Sequence, residues 1–217
     1  MSRHVISVLI FSLMILTGSA QFAAADIPVE PYIEASFATD GPLSLFSAPD
    51  GGGNPFTQAF GPDGQTVDGT LTIILYDDMP PWGNPVANYP KADIWLEDHH
   101  GELVSCQGGT IPDEDTDDVG MTFWTHPLRV GSHAEPVDGN QLAIVVTGWI
   151  LDSPSLEDFR INSADLNGDL HVNLSDIAMF VGTYFGTYDY ASDFHWDGVL
   201  NLADIVLLAE SLGAECP

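Results

Sequence analysis

Apolar and polar residues alternate with a period of two over much of the chain before residue 155. In residues 70–76, Leu71, Ile73 and Leu75 fall on one face, which is typical of a half-buried β-strand. The alternation recurs in three later segments, residues 93–97, 121–125 and 141–147. Gly-, Pro- and Asp-rich turns separate these segments, and many short strands between frequent turns favour an antiparallel β-sandwich. The pattern therefore predicts a mainly β fold up to this point.

After residue 154 the spacing becomes helical, and the sequence repeats itself. Residues 165–176 (loop 1) recur as residues 193–204 (loop 2). Apolar positions after the loops match as well: Ile177 with Ile205, Phe180 with Leu208, Val181 with Ala209 and Tyr184 with Leu212. Each copy therefore predicts a loop followed by an amphipathic helix, with Gly186 and Gly213 closing the two helices.

The charge of the chain narrows the classes of partner. Its 217 residues include 32 acidic and 4 basic side chains, and the formal net charge is −28. Such a surplus repels both a nucleic-acid backbone and an anionic membrane surface. Because 45% of the residues are hydrophobic, the charge does not imply disorder. Most of the acidic residues are Asp, which prefers loops and metal sites, so divalent cations are the first partners to consider.

Each loop offers the oxygen donors that calcium prefers. Positions one, five and twelve are Asp, position nine is Asn, and position seven offers a carbonyl, from His171 in loop 1 and Val199 in loop 2. Ca²⁺ takes about six to eight hard oxygen ligands, whereas Zn²⁺ favours Cys or His. Without a cation, the Asp side chains of one loop would repel one another. Acidic turns without metal would leave the spacing and the second copy unexplained.

The paired pattern over residues 161–213 resembles the dockerin type I module, a duplicated EF-hand-like calcium unit. The resemblance implies a small α module over residues 155–217 that binds two Ca²⁺ ions. The side-chain ligands it implies are Asp165, Asn167, Asp169, Asn173 and Asp176 in loop 1, and Asp193, Asp197, Asn201 and Asp204 in loop 2. Two residues depart from the family pattern. Leu170 replaces a Gly, which predicts a strained positive φ. His195 replaces an Asn or Asp, and imidazole is a poor ligand for a hard cation, so we expect one site to be either weaker or completed by water.

Residues 70–147 resemble a bacterial immunoglobulin-like domain of the invasin type. The segments that carry this resemblance are residues 83–90, 94–96 and 116–123. It implies an immunoglobulin-like antiparallel β-sandwich over residues 70–154. Residues 26–69 then supply either extra strands or an arm that pairs with the sheet edge of a neighbouring subunit.

The N-terminus and the cysteines bear on where the protein works. Residues 1–25 read as a secretory signal, with cleavage after Ala25 or after Ala20. No later segment is apolar enough to act as a membrane anchor, so we expect an exported protein. In an oxidising compartment, Cys106 and Cys216 form either one disulfide or two separate thiols, and two cysteines alone do not decide between these.

Three weaker groups of residues have simpler structural explanations. Residues 97–102 contain adjacent His and carboxylates, but a polar hairpin turn between two strands explains them better than a transition-metal site. Residues 113–118 offer a further calcium site or, more simply, a solvated acidic loop. A sugar-stacking platform would need four tryptophans to converge: Trp82, Trp95, Trp124 and Trp149. Two of these lie inside strand patterns, where core packing is the ordinary role.

No catalytic motif is recognisable, so we expect a protein that is not an enzyme. In the dockerin family, the module docks onto a cohesin and attaches enzymes to a scaffold. The positions that usually contribute to cohesin recognition are Leu174-Ser175 and Leu202-Ala203 here. Their apolar character suits packing on the protein's own β domain or on a second copy. The sequence therefore favours a calcium-stabilised extracellular structural or adhesive subunit that self-associates or binds a protein partner, in a surface layer or filament. The alternative is a carbohydrate-binding or cohesin-docking accessory module, with a polysaccharide as a further partner class.

Overall fold

The structure is a computed structural model that describes residues 31–98, 100, 102–136, 142–151, 153 and 156–217. It is mainly β with two α-helices among the described residues, as the sequence pattern predicts. The signal segment expected at residues 1–25 lies outside the described part of the chain. Within that part, no helix has the length and apolar character that crossing a membrane requires.

The strands of the described residues are mostly short and lie in four sheets. They are β1 (Tyr32–Phe37), β2 (Leu43–Ser47), β3 (Ala59–Phe60), β4 (Thr66–Val67), β5 (Leu71–Tyr76), β6 (Ile94–Asp98), β7 (Val104–Ser105), β8 (Met121–Trp124), β9 (Val130–Gly131), β10 (His133–Ala134), β11 (Leu142–Val146), β12 (Trp149–Leu151) and β13 (Phe159–Ser163). The sheet orders are β1-β5-β8, β10-β13-β2-β3-β4, β12-β11-β6 and β7-β9. The helices are α1 (Leu174–Tyr184) and α2 (Leu202–Glu210), one after each acidic loop.

β5 confirms the period-two pattern. Leu71, Ile73 and Leu75 are fully buried, while the residues between them are partly exposed. The strand lies between β1 and β8 and is antiparallel to both. Residues 32–67 form β1 to β4, and each of these strands pairs within this chain. Their pairing corresponds to the extra strands that the sequence offered as one alternative for the N-terminal part.

One strand pair differs from the antiparallel sandwich that the sequence predicts. β13 runs parallel to β2, with Phe159 opposite Leu43 and Ser163 opposite Ser47. Parallel neighbours need a long crossover connection, and here residues 48–158 supply it. β13 was not predicted as a strand, because its five residues follow the point where the sequence changes to helical spacing.

The five-stranded sheet separates two hydrophobic cores. On β2, Leu43 and Leu45 point into the first core, which fills the space towards β5, β6 and β11. Phe46 belongs to the second core, where its ring lies 5.4 Å from that of Phe194. Phe180 of α1 and Leu208 of α2 join this second core. The loop–helix region therefore packs on the β region and borrows part of its core from it.

The expected hairpin at residues 97–102 does not form. β6 pairs with β11, whereas β7 pairs with β9 in another sheet, so the connection crosses between sheets. Asp98 organises this connection, because its carboxylate accepts hydrogen bonds from the backbone N–H groups of His100, Glu102 and Leu103 at 3.1, 2.6 and 3.2 Å. The carboxylate thus serves the turn, in agreement with a structural role for this segment.

Cys106 and Cys216 form a disulfide, with their Cα atoms 5.7 Å apart. Of the two alternatives that the sequence left open, the bridge is therefore the one present. It ties the C-terminus to the end of β7.

Candidate metal centre

The start of each helix fixes the last part of the preceding loop. Asn173 Oδ1 accepts a hydrogen bond from the Ser175 N–H, and Asp176 Oδ2 accepts one from the Asn173 N–H, both at 2.8 Å. Asn201 and Asp204 form the same reciprocal N-terminal cap on α2, with both bonds again at 2.8 Å. This capping box satisfies backbone donors that a helix leaves free. It also fixes positions nine and twelve of each loop relative to each other.

The first Asp of each loop is fully buried and organises the loop backbone. Asp165 Oδ2 accepts a hydrogen bond from the Leu170 N–H at 2.7 Å, and Asp193 Oδ2 accepts one from the Gly198 N–H at 2.9 Å. The other carboxylate oxygen accepts from position five, at 3.2 Å in loop 1 and 3.3 Å in loop 2. The two loops therefore fold around their first residue in the same way.

The last Asp of each loop closes it from the other end. Asp176 and Asp204 are also fully buried. Asp176 Oδ1 accepts from the Asn167 N–H at 3.2 Å, and Asp204 Oδ1 accepts from the His195 N–H at 3.0 Å. The sequence repeat is therefore a repeat of hydrogen bonds, in which the Asp residues at both ends of each loop accept bonds from the loop backbone.

The electrostatics of these carboxylates favour a bound cation. Burial raises the pKa of Asp165, and the nearby carboxylates of Asp176 and Asp169 raise it further, while backbone hydrogen bonds oppose the shift. Burial likewise raises the pKa of Asp204, with Asp193 and the half-buried Asp197 adding to the effect. A cation between such groups would compensate both desolvation and mutual repulsion.

The donor set matches a hard cation with oxygen ligands better than a metal that prefers nitrogen or sulfur. In the described residues, no group of three or more His, Cys, Asp or Glu side chains has an arrangement that could hold a metal ion by itself. Each loop would complete such a set with Asn amide oxygens and backbone carbonyls. The Asn residues at position nine donate to the carbonyls of position seven, at 2.9 Å in loop 1 and 3.1 Å in loop 2. These oxygen types fit Ca²⁺, so the residues present suit the ion that the spacing predicts.

Leu170 has the positive φ that the sequence predicts at its position, +65°, and Gly198 in loop 2 has a φ of +80°. Position four is also left-handed in both loops, with Gly168 at +70° and Trp196 at +50°. Each loop thus has one glycine and one larger residue at its two left-handed positions, in opposite order. Each loop therefore contains one non-glycine residue in a strained backbone conformation, Leu170 in loop 1 and Trp196 in loop 2.

His195 occupies position three of loop 2, where loop 1 has Asn167. Its Nδ1 atom is buried without a hydrogen-bond partner among the described residues. That atom lies 3.6 Å from Asp197 Oδ2, and the imidazole packs against Phe60, with ring centroids 4.9 Å apart. Gly64 leaves room for the imidazole, because a Cβ atom there would overlap it. The side chain is thus placed by packing, and loop 2 has one oxygen donor fewer than loop 1.

Several residues outside the loops hold them in place, and the sequence pattern gave no sign of these roles. Asn162 of β13 is fully buried, and its Nδ2 donates to the Asp193 carbonyl at 2.6 Å. The Tyr188 hydroxyl donates to Asp193 Oδ2 at 2.7 Å, and burial together with this bond raises the pKa of Tyr188. On loop 1, the Ser132 N–H donates to the Asp165 carbonyl at 2.6 Å. Asn162 and Ser132 lie far from their partners in the chain, so only the fold brings these contacts together, whereas Tyr188 is a near neighbour of Asp193 in the sequence.

Where the structure describes them, residues of the weaker candidate groups have structural roles. Trp124 is buried in the first core and Trp82 is exposed, so the four tryptophans do not form one platform. In residues 113–118, Asp113 accepts hydrogen bonds from Thr125, and Asp117 accepts from the backbone of Val119 and Met121. These carboxylates stabilise turns, as the simpler interpretation of that loop expects.

The predicted packing of Leu174 and Leu202 on the protein's own β domain is wrong. These side chains are 80% and 70% exposed. They are the first residues of α1 and of α2. The second core instead takes Phe180 and Leu208, one or two turns later.

Comparison with models of protein families, with curated proteins and with solved structures found no match to this chain.

Proposed function

We propose that the protein is a calcium-stabilised extracellular structural or adhesive subunit without catalytic activity. In this proposal, the β region is an immunoglobulin-like sandwich to which extra strands are added. The two loops and their helices form a dockerin-like, EF-hand-like unit that binds two Ca²⁺ ions. The signal segment predicted at residues 1–25 and the disulfide are both in keeping with export into an oxidising compartment.

The observation that carries the proposal is the repeated hydrogen-bond pattern around two pairs of fully buried carboxylates. Asp165 and Asp176 lie at the ends of loop 1, and Asp193 and Asp204 lie at the ends of loop 2. Buried carboxylates without a compensating charge are costly. Two Ca²⁺ ions would remove that cost in both loops at once. At free calcium about one hundred times the Kd, each independent site adds about 2.7 kcal/mol of stability.

An apolar groove between the two helices supports a joint with another protein. Its volume is about 260 Å³, and its lining includes Ile177, Val181, Ile205 and Leu212. Phe185, at the end of α1, is also strongly exposed. Adjacent exposed apolar groups mark surfaces that bind proteins more often than isolated ones do. We propose that this face and the exposed Leu174 and Leu202 bind another copy in a surface layer or filament.

Size-exclusion chromatography and negative-stain microscopy of the full chain, with calcium and with a chelator, test this proposal. We expect ordered assemblies in calcium that the double variant Leu174→Asn, Leu202→Asn abolishes. Trp82→Asn is the matched control, because it removes an exposed apolar side chain from the connection between β5 and β6. A monomer under every condition would contradict self-assembly.

The second candidate function is a cohesin-docking or carbohydrate-binding accessory module. The exposure of Leu174 and Leu202 favours docking, because residues just before the last ligand of each loop are available to a partner. In that case the full chain would remain a monomer in calcium and would bind a cohesin or a polysaccharide. Binding of a purified cohesin, lost in the double variant and kept in Trp82→Asn, would decide for docking over self-assembly. Retention of the monomer on a polysaccharide would decide for the carbohydrate-binding form.

A further inference from the structure

The C-terminal tail (residues 213–217) pairs with loop 1 at the residue whose carbonyl is a proposed calcium ligand. The Gly213 N–H donates to the Val172 carbonyl, and the Val172 N–H donates to the Ala214 carbonyl, both at 2.9 Å. His171 faces Glu215 in the same antiparallel arrangement, and its Nδ1 lies 3.3 Å from Glu215 Oε2. The tail therefore fixes the backbone at position seven of loop 1.

The disulfide fixes the tail in turn. Cys216 is bonded to Cys106, which directly follows β7. The Cys106 N–H donates to the Arg129 carbonyl at 3.0 Å, and β7 pairs with β9 through Val104 and Gly131. Without the bond, the backbone hydrogen bonds to Val172 and the contact between His171 and Glu215 would hold the tail at loop 1 with no covalent link to the residue after β7.

Loop 1 is held on its other side by the same pair of strands. Gly131 lies against the Asp165 carboxylate so closely that a Cβ atom there would overlap Asp165 Oδ2. Gly168 approaches Val104, to whose Cγ2 a Cβ atom at Gly168 would be 3.3 Å away. The strands β7 and β9, the tail and the disulfide thus form one closed clamp around loop 1.

Loop 2 is held differently. The residue equivalent to His171 is Val199, which is 59% exposed. Loop 2 is anchored near its first residue, by Asn162 and Tyr188, and neither belongs to the tail or to the strands next to Cys106. Breaking the disulfide should therefore change the backbone geometry of loop 1 and leave that of loop 2 unchanged.

We infer that the Cys106–Cys216 disulfide and calcium binding at loop 1 are energetically coupled, so that the oxidised chain binds calcium more tightly at loop 1 than the reduced chain does. The inference rests on the proposed calcium function of the loops. A coupling of this kind is reciprocal. Calcium at loop 1 makes the disulfide harder to reduce by the same factor by which the disulfide tightens calcium binding.

A small dithiol can reduce the Cys106–Cys216 disulfide by thiol–disulfide exchange. One thiolate of the dithiol attacks a sulfur of the Cys106–Cys216 bond, which breaks and gives a mixed disulfide. The second thiol then displaces the remaining cysteine. Both cysteines end as thiols with two protons taken up, and the dithiol ends as its own cyclic disulfide, having lost two electrons.

The test compares the full oxidised chain with the double variant Cys106→Ser, Cys216→Ser in a calcium titration buffered by a chelator. NMR signals of the Leu170 and Gly198 amides report loop 1 and loop 2 separately, because each amide donates to the first Asp of its own loop. We expect the midpoint at Leu170 to rise about tenfold in the variant and the midpoint at Gly198 to stay unchanged. Equal midpoints at Leu170 in both proteins, or equal shifts at both amides, would overturn the coupling. Absence of calcium binding at both loops in the oxidised chain would instead overturn the calcium function.

A second measurement needs no cysteine variant. The oxidised chain is equilibrated with the small dithiol, with and without saturating calcium, and its free thiols are counted. A tenfold coupling corresponds to a shift of about 30 mV in the two-electron reduction potential. The shift should vanish in Asp169→Ala, which weakens loop 1, and persist in Asp197→Ala, the matched change in loop 2. If the reduction potential of the disulfide in the unchanged chain is the same with and without calcium, the inference is overturned.

Discussion

Leu170 and Gly198 occupy the same position of the two loops and share a left-handed backbone conformation, with φ values of +65° and +80°. Each donates its N–H to the buried Asp at the start of its loop. The conformation is therefore imposed by the loop and not by the residue type. Glycine adopts it without cost, and a residue with a side chain adopts it only under strain.

This relationship predicts opposite effects for two glycine substitutions. A Cβ atom at Gly198, or at Gly182 inside α1, would meet no described atom within 4 Å apart from the adjacent residues and the local helix backbone. Gly198→Ala should lower the free energy of unfolding by about 1 kcal/mol, because only that position has a positive φ. Gly182→Ala should raise it by about 0.5–1 kcal/mol, because alanine favours the helix. Denaturant unfolding of the calcium-loaded chain checks both, and equal effects at the two positions would contradict the argument from backbone conformation.

His195→Asp should tighten calcium binding at loop 2. The imidazole gives this loop one oxygen donor fewer than loop 1, and calcium affinity follows the number and charge of the ligands. We expect the affinity to rise about tenfold at loop 2 and to stay the same at loop 1, as measured at the Gly198 and Leu170 amides. Val199→Asp is the control, because it adds the same charge to the same loop on an exposed side chain. If both variants tighten binding equally, general electrostatic attraction and not coordination explains the gain.

Tyr188→Phe should lower the calcium affinity of loop 2 and leave that of loop 1 unchanged. It removes only the hydroxyl that donates to Asp193 Oδ2 at 2.7 Å. Groups that orient a metal ligand typically change affinity by about tenfold or more when they are removed. Tyr190→Phe is the control, because it removes a buried hydroxyl whose hydrogen-bond partner is Ser44 Oγ, at 3.1 Å, and not a loop carboxylate. Calorimetric titration of both variants checks the prediction, which fails if they lose the same affinity.

The calcium-free chain should become less stable as the pH rises above the ordinary carboxyl value of 3.8. Burial raises the pKa of Asp165 and Asp204 in the folded chain, so folding favours their protonated forms. Their contribution to stability is therefore present below 3.8 and is lost as the pH rises through the raised values. Calcium should reverse this trend, because it binds the ionised carboxylates.

Thermal unfolding in chelator across a pH series measures this effect. The variant Asp165→Asn, Asp204→Asn should flatten the dependence of the melting temperature on pH, whatever its absolute stability. Asp40→Asn, Asp63→Asn removes the same number of charges from exposed positions and serves as the control for net charge. If the control variant flattens the dependence of the melting temperature on pH by the same amount, the loop carboxylates do not cause that dependence.

The parts of the structure that follow from local pattern were predictable from the sequence. Alternation placed Leu71, Ile73 and Leu75 in the core, because a strand turns successive side chains to opposite faces. The positive φ at Leu170 was also predictable, because the resemblance to dockerin modules places a glycine at that position.

The parts that depend on distant residues were not predictable. β13 is stabilised as a strand by β2, which lies far away in the sequence, and its five residues carry little pattern by themselves. The pairing of Cys106 with Cys216 and the anchoring of Asp193 by Asn162 are likewise products of tertiary structure. The exposure of Leu174 and Leu202 could not be read from apolar character alone, because helical spacing does not say which apolar positions another element covers.

Calcium binding by the full oxidised chain is the most direct test of the proposed metal centre. Isothermal titration of the chelator-treated protein should give two ions per chain, and circular dichroism should show the helical signal melting at a lower temperature in chelator than in calcium. A chain that takes up no calcium, and whose helices melt at the same temperature in both conditions, would contradict the proposal.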